Sequence, residues 1–345
     1  MSAGSVIVGG FSGHELTSSF QQALTRKERA GAVLFKRNIA SDFGQVAALN
    51  TAIARALPSA LIAIDQEGGR VARLGVPFLS LPSARRVADR GGVELVERAA
   101  RAQGRELRAL GFTLNFAPVL DIHSEPQNPI IGDRAFSSDP SSAARFGVAC
   151  GLALQSAGVL ACGKHYPGHG DTTVDSHLAL PSVNAPRSTL DARELVPFRA
   201  ATDLASLMTA HVVYQALDPD HPATLSKKIA TDLLRTELGY EGALFSDDLE
   251  MKAIHLDIES SAVMAIAAGC DLLLICSNEE LQARAFDALT HESDKSPAFR
   301  TRLAEAARRS ETLRKRVPPP QPLNGAELQR AFQTEEARAI EQVLS

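Results

Sequence analysis

SSAARFGVACGLALQSAGVLACGKH, residues 141–165, holds in one stretch the unit from which most of the chain is built. Its first part reads as an amphipathic helix over 141–158 that stops at Gly158, and glycine suits the left-handed position that closes a helix. Its second part, VLACGKH (159–165), is a continuous apolar run that ends in Lys164 and His165. A strand apolar on both faces belongs in a parallel sheet covered on both sides. Similar runs occur at VIVG (6–9), GAVLF (31–35), ALIAID (60–65), TLNFAPVLD (113–121), SLMTAHVV (206–213), GALFSDD (242–248) and DLLLIC (271–276). Helical patterns follow the strands over 14–30, 42–58, 91–111, 141–158, 191–205, 227–239, 258–269 and 278–292, and Gly111, Gly239 and Gly269 close helices as Gly158 does. Eight strands alternating with eight helices predict an α/β fold, a single-domain (β/α)8 barrel of the TIM type, with an open doubly wound sheet as the alternative.

The 345 residues suit such a barrel, and 45% hydrophobic residues supply its core. The barrel is expected over 1–316. VPPPQPLNG (317–325) breaks the pattern, and the remainder to residue 345 reads as one more amphipathic helix on the barrel exterior. A formal net charge of −4 gives no electrostatic reason for nucleic acid or an anionic membrane as partner. No run of 18 apolar residues occurs and the first residues do not read as a signal peptide, so a soluble cytoplasmic protein is expected. Cys150, Cys162, Cys270 and Cys276 lie in apolar runs and read as buried thiols, with no CxxC spacing.

Long connections follow the third, fourth and fifth strands, over 66–90, 122–140 and 166–190. Loops of this length in compact domains are commonly functional, and barrel active sites form at strand C-termini. Charged residues gather there: Asp65, Asp121, Lys164 and His165, then His211 on the sixth strand and Asp247 with Asp248 on the seventh. One such residue is simply where a strand meets water; five strands together predict a cleft. The segment GKHYPGHGDTTVDSH (163–177) is the densest. His165 and His169 have the i, i+4 spacing of a helical metal pair, but Pro167, Gly168 and Gly170 break any helix, and no metal or cofactor is expected. Asp175 and His177 read either as a surface turn or as a dyad in which the carboxylate fixes the imidazole tautomer. Asp247 and Asp248 in FSDDLEM (245–251) read either as helix-capping acids or as a nucleophile with a neighbour. IDQEGGRVARL (64–74) and GDRAF (132–136) add Arg73 and Arg134.

In order along the chain, AGAVLFKRN, IAIDQEGGRVARL, NFAPVLDI, IGDRAF, GKHYPGHGDTTVDSH, MTAHVVY, PATLS and LFSDDLEMKAI resemble glycoside hydrolase family 3, specifically its single-domain β-N-acetylhexosaminidases of the NagZ type. The likeness spans about residues 30–276, and Tyr166 replaces the usual Phe. It implies Asp247 as nucleophile, His177 as acid/base and Asp175 as its partner. It also implies Asp65, Arg73, Arg134, Lys164 and His165 as ligands of a terminal sugar, with His211 and Asp121 in support. Related β-glucosidases take their proton donor from a second domain; none is seen here, which leaves His177 as the candidate. The implied reaction is exo-acting hydrolysis of β-linked N-acetylglucosamine with retention, on muropeptide fragments in cell-wall recycling or on chitooligosaccharides, by a monomer. The same covalent intermediate also serves a phosphorylase. The absence of Trp and only three Tyr favour a pocket for one sugar over a long polysaccharide cleft.

Overall fold

The computed structural model describes residues 3–40, 42–172, 180–317, 319 and 322–345. Eight parallel strands close a barrel in sequential order: β1 (Ile7–Gly9), β2 (Gly31–Leu34), β3 (Leu61–Ile64), β4 (Leu114–Asn115), β5 (Leu160–Tyr166), β6 (Ser206–Thr209), β7 (Ala243–Asp248) and β8 (Leu272–Ile275). The pairing of β8 with β1, with Val8 opposite Leu274, completes the circle and excludes the open sheet.

The apolar runs are continuous because both faces of each strand are covered. In β8, Leu272 and Leu274 point into the barrel, where Val8, Val33, Ala63, Phe116 and Met208 also lie. Leu273 and Ile275 point outward onto the helices. Phe116 and Phe245 meet edge to face inside, 5.5 Å between centroids. Such packing of alternate strands fills the barrel below its mouth.

Two strands are shorter than the sequence suggests. Regular pairing in β4 stops at Asn115, since Pro118 has no N–H to donate, although Lys164 N still bonds the Pro118 carbonyl at 3.1 Å. The run 206–213 leaves the barrel after Thr209, and Val213–Tyr214 joins a separate small sheet with Ser182–Val183 and Asp218–Pro222. The helix after β3 begins early, at Ala84, and bends at Gly92, whose φ of +59° is open to glycine. Pro297–Lys315 forms a further helix, beyond the eight expected; Ser296 Oγ accepts from Phe299 N at its start and Pro297 opens it. The expected C-terminal helix is two, Gly325–Ala331 and Glu335–Leu344. They divide at Gln333, whose φ is +51°, and Thr334 caps the second. Leu328, Ile340 and Leu344 bury against the barrel's outer core. No described helix is long and apolar enough to cross a membrane.

Candidate active site

Strand parity decides which charged residues enter the barrel mouth. Side chains two apart on a strand share a face. Ala63, Cys162 and Phe245 point inward. Two residues further on, Asp65, Lys164 and Asp247 therefore point into the mouth, and all three line a cavity of about 230 Å³. That is below the roughly 300–1,000 Å³ of clefts for drug-sized ligands, so it suits one small ring.

One wall is an ion-pair network. Lys164 Nζ lies 2.7 Å from Asp65 Oδ1 and 2.8 Å from Glu67 Oε1. Arg134 grips Glu67 with two parallel bonds, Nε to Oε2 at 2.9 Å and Nη2 to Oε1 at 2.8 Å. Burial alone would raise the Glu67 carboxyl; Arg134 and Lys164 outweigh it and hold it far below the usual carboxylate range. Burial likewise works against the Lys164 ammonium, but Asp65 and Glu67 carry it above its ordinary value. Arg73 Nη2 reaches Asp65 Oδ2 at 3.3 Å, and its guanidinium sits 5.6 Å from the Phe35 ring. Arg73 Nε is buried with no hydrogen-bond partner among the described residues.

The loop that carries these groups is locally determined. Asn115 on β4 exchanges hydrogen bonds with the Gln66 backbone, and Gln66 Oε1 accepts from Arg73 N and Leu74 N. Between them Gly68 and Gly69 turn the chain at φ +108° and +55°.

On the opposite side stands Asp247. Its Oδ1 accepts from the Asp248 N–H at 2.8 Å. Burial would raise its carboxyl, but His211, His165, that N–H and Lys164 prevail and keep it ionised below the ordinary value. Asp248 differs. Its Oδ1 accepts from Glu250 N and Cys276 N, bracing the turn after β7, and burial pushes it up to about 7. His211 supports from behind the wall: Nε2 donates to the Asp248 carbonyl at 2.9 Å and Nδ1 meets Thr224 Oγ1 at 2.7 Å.

Asp121 is a positioning group. Its carboxylate accepts from His165 N, His169 N and His165 Nδ1, the last at 2.6 Å, which orients the His165 ring at the cavity wall. His169 Nδ1 lies 2.9 Å from Thr172 Oγ1, and burial lowers this imidazole to about 4. No group of three or more potential metal ligands occurs among the described residues.

The structure thus gathers Asp65, Arg73, Arg134, Lys164, His165 and Asp247 around one cavity, with His211 and Asp121 behind it. Asp175 and His177 lie outside the described residues. Glu67 is a site residue that sequence reasoning passed over; its signal was its place in IDQEGG, two residues beyond Asp65.

The family model described as "Glycosyl hydrolase family 3 N terminal domain" matches residues 11–313. A Pseudomonas aeruginosa (PAO1) protein named beta-hexosaminidase is 41% identical over 278 residues, 79% of this chain and 83% of its own. One of the same name from Methylococcus capsulatus is 38% identical over 305 residues, covering 86% and 90%. Among solved structures, NagZ from Neisseria gonorrhoeae in complex with N-trifluoroacetyl-D-glucosamine superposes with TM-score 0.82 at 31% identity, over 99% of this chain and 97% of that one. A glycoside hydrolase family 3 beta-N-acetylglucosaminidase from Paenibacillus sp. gives TM-score 0.91 at 37% identity, over 99% and 67%. With a family match along most of its length and relatives this similar over most of both chains, the chain belongs to glycosyl hydrolase family 3.

Proposed function

We propose that the chain is a retaining, exo-acting β-N-acetylhexosaminidase that removes terminal non-reducing β-linked N-acetylglucosamine. The observation that carries this reading is the ionised Asp247 carboxylate facing paired Asp65, Lys164, Glu67 and Arg134 across a cavity for one ring. Carboxylate and ammonium side by side suit adjacent sugar hydroxyls, one accepting and one donating. The names of the relatives, and the N-acylated glucosamine bound by the Neisseria protein, favour the N-acetylated sugar.

In the reaction proposed, the Asp247 carboxylate attacks the anomeric carbon while His177 gives a proton to the leaving oxygen. The glycosyl–Asp247 bond then breaks as water, losing a proton to His177, attacks the same carbon. Two inversions give net retention. Asp175 is proposed to hold the His177 tautomer. The proposed substrates are muropeptide fragments in the cytoplasm, processed during cell-wall recycling by a monomeric enzyme. A 5-fluoro glycosyl inhibitor of the N-acetylglucosamine series should label Asp247, read by mass spectrometry of the digested protein. Labelling at Asp248 or Asp65 overturns the assignment. Product analysis with and without phosphate separates hydrolysis, which yields the free sugar in both, from phosphorolysis.

A further inference from the structure

Asn128 stands outside the cavity and outside every role assigned above, yet it joins two loops that serve it. It is buried. Its Oδ1 accepts from Ile130 N at 2.9 Å and Ile131 N at 2.8 Å. Its Nδ2 donates to the His169 carbonyl at 2.9 Å, the Gly170 carbonyl at 3.1 Å and Thr172 Oγ1 at 3.2 Å. The amide orientation is over-determined. Turning it over would set the NH2 against two N–H donors and the oxygen against two carbonyls. No other side chain supplies both halves at this length.

The two halves serve different parts of the site. The Oδ1 side sets the turn at 130–131, and Arg134 Nη1 and Arg70 Nη2 both bond the Ile130 carbonyl. That turn presents Arg134 to Glu67. The Nδ2 side holds the chain after β5 as far as Thr172, five residues before His177. There the fit is close: a Cβ on Gly170 would stand 1.6 Å from the Ile122 carbonyl oxygen. Tyr214 Oη donates to the Gly168 carbonyl and Arg193 pairs with Asp171 at 2.7 Å, so the segment 168–172 is held from other sides as well.

We propose that Asn128 is a positioning residue that links sugar binding to proton transfer, its oxygen setting the Arg134 turn and its NH2 setting the chain that leads to His177. The inference rests on the reading of His177 as acid/base.

Asn128→Asp separates the halves. It keeps an acceptor for Ile130 and Ile131 and turns the donor side into an oxygen facing three oxygens. Three quantities are measured: kcat/KM on a nitrophenyl β-N-acetylglucosaminide, kcat/KM on an N-acetylglucosamine disaccharide, and inhibition by free N-acetylglucosamine. Nitrophenolate leaves with little protonation and the sugar alcohol does not. The expected disaccharide loss is at least about tenfold, bounded by the about 10²–10⁴-fold of a whole acid–base contribution. The nitrophenyl loss and the change in inhibition stay within about threefold, since neither draws on the acid. Thr172→Val, which removes one acceptor of the NH2 at near-constant shape, is expected to repeat the selectivity more weakly and stands in if Asn128→Asp does not fold. His177→Ala is assayed beside them. If it is selective for the disaccharide and the folded Asn128 or Thr172 variants are not, the inference is overturned alone. If His177→Ala itself loses both substrates equally, the acid/base reading fails and the inference falls with it.

Discussion

Replacing Glu67 by Gln tests whether the buried network holds the sugar-binding cations in place. The Glu67 side chain is 7% exposed, its partners Arg134 and Lys164 11% and 4%. The substitution preserves shape, removes one charge and sets an NH2 against the Arg134 fork. Breaking a buried pair by removing one partner costs about 3–5 kcal/mol, because the remaining charge stays desolvated. Lys164 retains Asp65 at 2.7 Å and Arg134 retains the Ile130 carbonyl, so the lower end of that range, about 3 kcal/mol, is expected. The pH dependence has a definite sign. Glu67 is held below its ordinary value when folded, so its contribution is fully present above the unfolded carboxyl range, about 4.3, and fades as pH falls below it. Urea unfolding of both proteins at pH 7 and near pH 3.5 reads the difference. Hydrogen bonds to charged groups contribute about 1.5–3 kcal/mol, so misplacing the cations should also raise KM by roughly ten- to a hundredfold. A stability change within about 0.5 kcal/mol at pH 7, the range of an ordinary surface substitution, would refute the reasoning.

Two further outcomes follow from groups remote from the cavity. Asp271→Ala at the base of β8 should cost about 3–5 kcal/mol in urea unfolding, because the fully buried carboxylate holds Arg235 and Arg302 at 2.7 Å each; kcat/KM per folded molecule should hardly change. Glu106 accepts from Leu79 N at 2.6 Å, and burial pushes its carboxyl up to about 7. Between about pH 4.3 and 7 the folded state keeps a proton that the unfolded chain releases, so wild-type stability falls as pH rises there. Glu106→Gln should flatten that part of the thermal stability profile, and an unchanged slope counts against the assignment.

The barrel was legible because its signal is repeated and physical. Runs such as DLLLIC must be apolar on both faces to sit between a filled barrel and its helices. Asp65, Lys164 and Asp247 were legible as charges gathered at strand C-termini, and strand parity then turns them into the mouth. Beyond the strand ends the family resemblance supplied Arg73 and Arg134, but not every group there. Glu67 lies beyond β3, and its direction comes from the turn at Gly68 and Gly69 and from Arg134, 67 residues away. Asn128 looked like one polar residue in a long loop; its value arises only when residues 169–172 fold against it. Asp247 and Asp248 are equal in the sequence and unequal in the fold: both border the cavity, but Asp248 also braces the turn after β7. The i, i+4 spacing of His165 and His169 resolves into one imidazole bound by Asp121 and another beside Thr172. The division of the C-terminal segment hangs on a single left-handed residue, Gln333, a conformation that helical periodicity does not encode.

The same chemistry does opposite work at the two ends of the barrel. At the N-terminal end, the oxygens of Asp271 take two arginines and the Leu244 N–H, and Arg302 spends further donors on the carbonyls of Gly269 and Cys270. Such a network lies away from the cavity and serves the fold. At the mouth the pairing is open. Lys164 has three hydrogens and two carboxylates within 2.8 Å, and it lines the cavity. A ligand hydroxyl at the cavity can accept from the Lys164 hydrogen that these two pairs leave over. Incomplete pairing therefore raises the affinity of the protein for a polar ring. It also explains why the mouth needs Glu67, which holds two cations ready without consuming all of their hydrogens.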